Sequence, residues 1–166
     1  MNVSPLEEYG LRCAVQLAAL TPGQTLSAPE IAQREGLSVE YVSKFMLLLK
    51  KGGLVRTLRG IKGGFALSRP AAEITLKEVF SALKQQRKSR GGFCDSFAGK
   101  SGSCVRSGSC GIRPFWQLLS GYIDAFTSRM TLADLLAGEE ATEKKTMTLA
   151  ETHLPFFRKP SSEATL

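Results

Sequence analysis

Residues 31–68 read IAQREGLSVEYVSKFMLLLKKGGLVRTLRGIKGGFALS, and this run decides the fold. Just ahead of it, Ser27 suits a helix N-cap, and Glu30 three residues on completes a capping box. Ile31 and Ala32 give that helix a small apolar face, and Gly36-Leu37-Ser38 ends it, glycine being free to take the positive φ of a helix terminus. Ser38 caps a second helix with Glu40 in its first turn. Val42, Phe45, Met46 and Leu49 follow at helical spacing, so one stripe is buried and Ser38, Tyr41, Ser43 and Lys44 lie largely off it. Gly52-Gly53 stops this helix. Leu54 to Leu58 reads as a strand, Arg59 to Gly64 as a turn and Phe65 to Ser68 as the return strand.

Two helices at a tight turn followed by a hairpin predict a winged helix-turn-helix. The second helix is narrow enough for the major groove, and the hairpin tip can reach the backbone or minor groove. From Lys44 to Arg69 there are seven Lys and Arg and no Asp or Glu. A solvated basic face on an ordinary small domain is the plain alternative. An acid-free run covering both helix and wing favours DNA, with Ser38, Tyr41, Ser43, Lys44, Arg56, Arg59 and Lys62 as candidate contacts.

The charge distribution agrees. Residues 1–90 hold 14 Lys+Arg against 7 Asp+Glu, and residues 91–166 hold 8 of each, so the whole net charge of +7 lies in the half with the helix-turn-helix. No apolar run approaches a membrane span. Glu7, Glu8 and Arg12 interrupt what a signal peptide would need, so a cytoplasmic location is expected. Four cysteines in a reducing compartment favour metal or redox chemistry over a disulfide framework.

Outside the central run, Ser4-Pro5-Leu6-Glu7 is another capping box, opening a helix to about Leu20. Leu6, Cys13, Leu17 and Leu20 supply its apolar contacts, and Glu8, Arg12 and Gln16 a polar stripe. Thr75 to Glu78 caps a helix through about Leu83. Residues 89–111 hold six Gly, six Ser and three Cys, too few anchors to order themselves. Pro114 can start a long helix on which Trp116, Leu119, Ile123, Phe126 and Met130 form an apolar stripe. Packing on its own domain is one reading of that stripe; a homodimer interface is the favoured one. Thr131 caps a last short helix through about Ala137. From Gly138 the charged and proline-containing sequence reads as a mostly disordered tail, with its single His153 solvated.

Cys94, Cys104 and Cys110 form the pattern C-x9-C-x5-C in the Gly/Ser loop. Thiolates are soft ligands suited to iron–sulfur clusters and zinc, and glycines let a loop wrap an inorganic core. Three cysteines leave a four-ligand site one short. Cys13, on an apolar face, reads as a small core residue. No Ser/His/Asp set, phosphate loop or paired carboxylates are evident, so no enzyme is expected.

Ser38-Val39-Glu40-Tyr41-Val42, Gly53-Leu54-Val55, Arg59-Gly60 and Gly63-Gly64-Phe65 occur in order, and with them the chain resembles the iron–sulfur winged-helix regulators of the Rrf-two (Rrf2) family, the IscR/NsrR/RsrR-like group, over roughly its first 135 residues. The resemblance implies a homodimer in which the fourth ligand comes from the other subunit's first helix or from near the last cysteine. Glu8 matches the place where some members carry an acidic ligand; an i,i+4 ion pair with Arg12 is its ordinary alternative. Arg12 stands where the RsrR type resembles a His ligand, and guanidinium cannot bind iron. The cluster type, [2Fe–2S] or [4Fe–4S], stays open; zinc and direct oxidant sensing by the thiols remain alternatives.

The expectation is therefore a mainly α protein with a small β-hairpin wing. A winged helix-turn-helix DNA-binding domain spans 1–84, a cysteine-containing loop 85–112, a dimerisation helix and short last helix 113–137, and a mostly disordered tail 138–166. Its expected role is that of a homodimeric transcription regulator on a pseudo-palindromic operator, its affinity controlled by an iron–sulfur cluster that senses redox state, nitric oxide or iron, with repression or activation left open. The rival is a metal-binding protein, a cluster carrier or zinc-stabilised adaptor, with no specific DNA target.

Overall fold

The structure, a computed structural model, describes residues 3–60, 63–84, 102, 104–106 and 109–153. Helix α1 (Pro5–Ala18) is followed by α2 (Ala28–Glu35), α3 (Val39–Lys51) and an antiparallel hairpin of β1 (Val55–Leu58) and β2 (Gly64–Leu67). Then come α4 (Leu76–Leu83), α5 (Ile112–Thr127), α6 (Leu132–Leu136) and α7 (Glu139–His153). Local chemistry explains most of these starts. Ser4, Ser27, Thr75 and Thr131 each accept from the N–H three residues on, and Glu7, Glu30, Glu78 and Asp134 reach back to complete four capping boxes.

The turn between α2 and α3 depends on Gly36, whose φ of +66° is left-handed. Ser38 then caps α3, its Oγ accepting from Tyr41 N at 3.2 Å. Helix α3 is central to the core: Val42, Phe45, Met46 and Leu49 are fully buried. In the hairpin, Val55 pairs with Leu67 and Leu58 with Gly64. Leu26 bridges to Phe65 on the other side of β2, with N–O contacts of 3.1 and 2.8 Å. Gly64 permits that seam, because a Cβ there would stand 2.7 Å from Leu26 O. The wing is thus fastened beside its turn, at the start of β2, to the segment leading into α2.

The chain closes on itself late. Leu76 N donates to Met130 O and Leu132 N to Ile74 O, at 2.8 and 3.0 Å. These bonds draw Met130 and Leu132 into the core formed by α1, α3 and α4. Two expectations need correction here. Met130 is a core residue, 1% exposed, and not part of a dimer face. Its carbonyl bond to Leu76 lies beyond the end of α5, where the helical stripe no longer applies. The short α6 likewise packs with the winged-helix core, across the boundary expected before residue 113.

The tail expectation also fails in part, since α7 is helical over Glu139–His153. Tertiary contacts hold its start. Lys145 Nζ lies 2.6 Å from Asp134, Thr142 Oγ1 donates to Asp134 O at 2.9 Å, and Leu149 packs against the core. Residues 154–166 lie outside the described residues, as do Lys62 and residues 85–101 with Cys94. Among the described residues no helix is long and apolar enough to cross a membrane.

Glu7 connects the first cap to the end of α4. Its Oε1 lies 2.8 Å from Lys84 Nζ, and its Oε2 accepts from Ser4 N and Oγ. The Lys84 bond, with those from Ser4, lowers its carboxyl to about 2. A carboxyl lowered on folding stabilises above its unfolded value near 4.5, and that contribution is lost as the pH falls toward 2. Glu7→Gln keeps the cap's reach but removes the charge. We expect about 1–2 kcal/mol lost at neutral pH, after screening by solvent on the half-exposed Lys84 side, and a flatter stability profile between those two pH values. Urea unfolding across that range checks it; a parallel slope in wild type and variant contradicts it.

Candidate nucleic-acid interface and cysteine site

Burying one side of α3 leaves the other side in water. Ser43, Lys44, Lys50 and Lys51 are exposed there. Leu47 is 52% exposed and lies one turn from Ser43 and Lys44. Sequence reasoning passed over Leu47 because it merged into an apolar run; an exposed aliphatic on such a helix suits a thymine methyl. Arg56 and Arg59 on the hairpin are exposed. Ser38 is exposed too, but its hydroxyl is engaged as the α3 cap. Tyr41 is half-buried, its ring 4.4 Å from Phe45 and edge-on to Tyr9 at 6.0 Å. Its ring therefore joins α3 to α1.

A second tie joins α1 to the helix-turn-helix. Glu35, at the end of α2, accepts from Arg12 Nε at 2.6 Å and from Gln16 Nε2 at 2.5 Å, and Arg12 also donates to the Glu35 carbonyl. The Glu35 carboxylate raises the already high Arg12 pKa. Arg12 lies over the Tyr9 ring at 5.6 Å. Arg12, the ordinary ion-pair alternative for Glu8, instead meets Glu35, its Nε on the carboxylate and its Nη2 on the backbone carbonyl, with Glu8 contributing only a charge at longer range. Glu35 and Tyr9 escaped the sequence reading: each is a single residue with a long-range partner, and periodicity carries no signal for that.

Glu8 is exposed, one position from Tyr9. Cys104 and Cys110 are half-buried free thiols just before α5. Backbone N–H groups of Arg113, then Ile112, lower the Cys110 thiol below its ordinary value, with help from the Arg113 and Arg106 charges. That shift is toward the thiolate form that soft metals require. Burial pushes Cys13 up to about 12, as a core residue should be. Within one protomer, no three His, Cys, Asp or Glu residues converge among those described, so Glu8 does not meet Cys104 and Cys110 there.

Helix α5 presents large apolar side chains to solvent. Ile112, Phe115, Trp116, Leu118 and Tyr122 are each 40% exposed or more. Leu119, Ile123 and Phe126 are half-buried, Phe126 against the core, and only Thr127 on this helix is buried. Lys77 and Asp124, 2.9 Å apart, tie α5 to α4.

Comparison with known proteins places these features. The family described as Rrf2, iron-dependent transcriptional regulator, matches residues 4–138. The chain is 26% identical over 155 residues to the HTH-type transcriptional regulator IscR of Cronobacter sakazakii, covering 93% of this chain and 92% of that one. It is 29% identical over 136 residues to Protein rrf2 of Nitratidesulfovibrio vulgaris, covering 82% and 87%. Among solved structures, T. potens IscR aligns with a TM-score of 0.65 and 26% identity, over 85% of this chain and 90% of that one. CymR, the global cysteine regulator of B. subtilis, shares the fold with a TM-score of 0.64 at 23% identity, over 82% and 97%.

The thiol contrast gives a direct expectation. In metal-free native protein, iodoacetamide should modify Cys110 at a pH below that of an ordinary thiol, while Cys13 resists until the chain unfolds. Mass mapping after a pH series reads this out; early loss of Cys13 refutes its placement.

Proposed function

This chain belongs to the Rrf2 family of transcriptional regulators, and on that premise we propose that it acts as a homodimer whose operator affinity is governed by an iron–sulfur cluster held by Cys94, Cys104, Cys110 and Glu8 of the facing subunit. The observation that carries the reading is the division of α3, one side wholly in the core and the other exposing Ser43, Lys44 and Leu47 beside the basic hairpin. Lys44, Arg56, Arg59 and Lys62 supply phosphate contacts, and Ser43 with Leu47 faces base edges. The donor set suits the cluster. The Cys110 thiol is lowered below its ordinary value by backbone N–H groups, and Cys104 is a half-buried free thiol in the same segment. A bound cluster supplies redox- and nitric oxide-sensitive iron. Glu8, a harder ligand than thiolate, is the weak link. It sits next to Tyr9, whose ring meets Tyr41 on α3, so release of Glu8 is felt at the recognition helix.

Anaerobically purified protein tests this by absorption and Mössbauer spectra and by footprinting on its own upstream DNA. Changing Cys94, Cys104 or Cys110 to Ala should abolish the chromophore, and Cys13→Ala should not. Glu8→Ala should give a labile cluster and uncouple affinity from its state. Arg59→Ala with Lys62→Ala should lower the salt slope by roughly one counterion per lost phosphate contact. A colourless protein with an undiminished footprint overturns cluster control but not DNA reading; a coloured one with no footprint does the reverse.

The homodimer rests on the exposed side of α5. Trp116→Asp should leave the monomer folded, since Trp116 is 42% exposed, yet bury an unpaired charge in the interface. Sedimentation should report monomers; an intact dimer sinks this interface.

A further inference from the structure

The outer side of α3 is ordered across its width. At about 100° per residue, the buried Val42, Phe45, Met46, Leu48 and Leu49 occupy one arc of the helix, and the exposed residues occupy the other. On that outer arc Lys44 and Lys51 fall toward one flank and Lys50 toward the opposite one. The middle holds Ser43, Leu47 and Glu40. Cations are thus set out for the two phosphate walls of a groove, and an aliphatic and a carboxylate are left between them.

Leu47 is 52% exposed. A lone exposed aliphatic is ordinary on a protein surface, but this one lies at the centre of the side turned to the groove. Against a base edge it donates and accepts nothing, so a polar edge pressed on it loses water without replacement. The thymine 5-methyl is the apolar group that the major groove offers. Glu40 is the only acid on α3, it is exposed, and none of the ion pairs among the described residues involves it. Its place in the first turn suits the helix dipole, a term indifferent to the sequence of a bound duplex. A carboxylate on a face built for phosphates is repelled unless it meets a donor. The cytosine N4 amino group is such a donor, with no major-groove acceptor on its own base.

We propose that α3 selects its operator through these two side chains: Leu47 packs on the 5-methyl group of a thymine, and the Glu40 carboxylate accepts from the N4 amino group of a cytosine. The selection rests on the DNA binding proposed above. Glu40 and Leu47 lie two helical turns apart, so the cytosine and the thymine fall about three base pairs, roughly 10 Å, from one another. Glu40 also repels phosphate wherever no cytosine meets it, which lowers affinity for every other site. Neither side chain adds a phosphate contact; both add discrimination between sequences.

Duplexes selected from a random-sequence library by the full, anaerobically purified chain supply the test. The consensus half-site is remade with each thymine in turn replaced by uracil, which removes the methyl group and keeps the pairing. One uracil should weaken binding about fourfold, the effect of one buried methyl-sized group. Leu47→Ala, a change outside the core, should bind the thymine and uracil duplexes alike. About three base pairs away, exchange of a cytosine for thymine should weaken wild type about fivefold or more. Glu40→Ala should lose that preference and bind an unrelated duplex more tightly than wild type does, a gain that a purely helix-stabilising role for Glu40 does not give. Uracil tolerated at every position, discrimination retained in Leu47→Ala, or a cytosine preference retained in Glu40→Ala overturns the proposal and leaves DNA binding in place. Failure to select any sequence overturns both.

Discussion

Phe45, Met46 and Leu49 are completely withdrawn from water, and everything else in the domain is arranged to make that possible. Each such burial contributes about 1.5–3 kcal/mol. Helix α3 can offer these side chains to the core only if a single stripe faces inward, and the same periodicity then leaves Ser43, Lys44 and Leu47 outside. The helix that anchors the core is therefore also the one presented to a partner. A shift of α3 cannot occur without disturbing α1 and α4, which pack on it.

Two kinds of contact join α1 to the helix-turn-helix, and they differ in stiffness. The Arg12–Glu35–Gln16 cluster is polar and half-open to water, with Arg12 44% exposed, so its net contribution is small. The Tyr9–Tyr41–Phe45 ring series runs from the half-buried face of α1 to the fully buried Phe45. The first sets direction, through fixed hydrogen bonds to the end of α2. The second resists displacement, because ring packing is lost steeply with distance.

What the sequence made legible was local. Ser4, Ser27, Thr75 and Thr131 announce helix starts within three residues, and the stripe of α3 repeats within two turns, so both survive without tertiary knowledge. The glycines of the hairpin were legible for the same reason. Met130 was not, because periodicity does not say where α5 ends and the chain turns back to bond Leu76. Helix α7 was missed because it is hardly amphipathic; its support comes from Asp134 and a Leu149 contact, not from a repeating face. The ties of Glu35 and Arg69 were invisible, since their partners lie 23 and 9 positions away.

The placement of α5 follows from its two ends. At its C-terminal end Thr127 is buried, its Oγ1 donating to Ile123 O at 2.7 Å, and the Met130–Leu76 bond fastens the chain to the core. Toward its N-terminal end Ile112, Phe115 and Trp116 are exposed, and the Cys110 thiol accepts from the helix's first N–H groups. Among the described residues, the helix is thus held where it meets the domain and exposed toward the cysteines. The exposed apolar stripe is the surface on which the proposed second subunit would pack its own α5. In the proposed dimer, pairing there would bring these ends under a shared constraint, and a group bound by the thiols would act on the part of α5 farthest from the domain core.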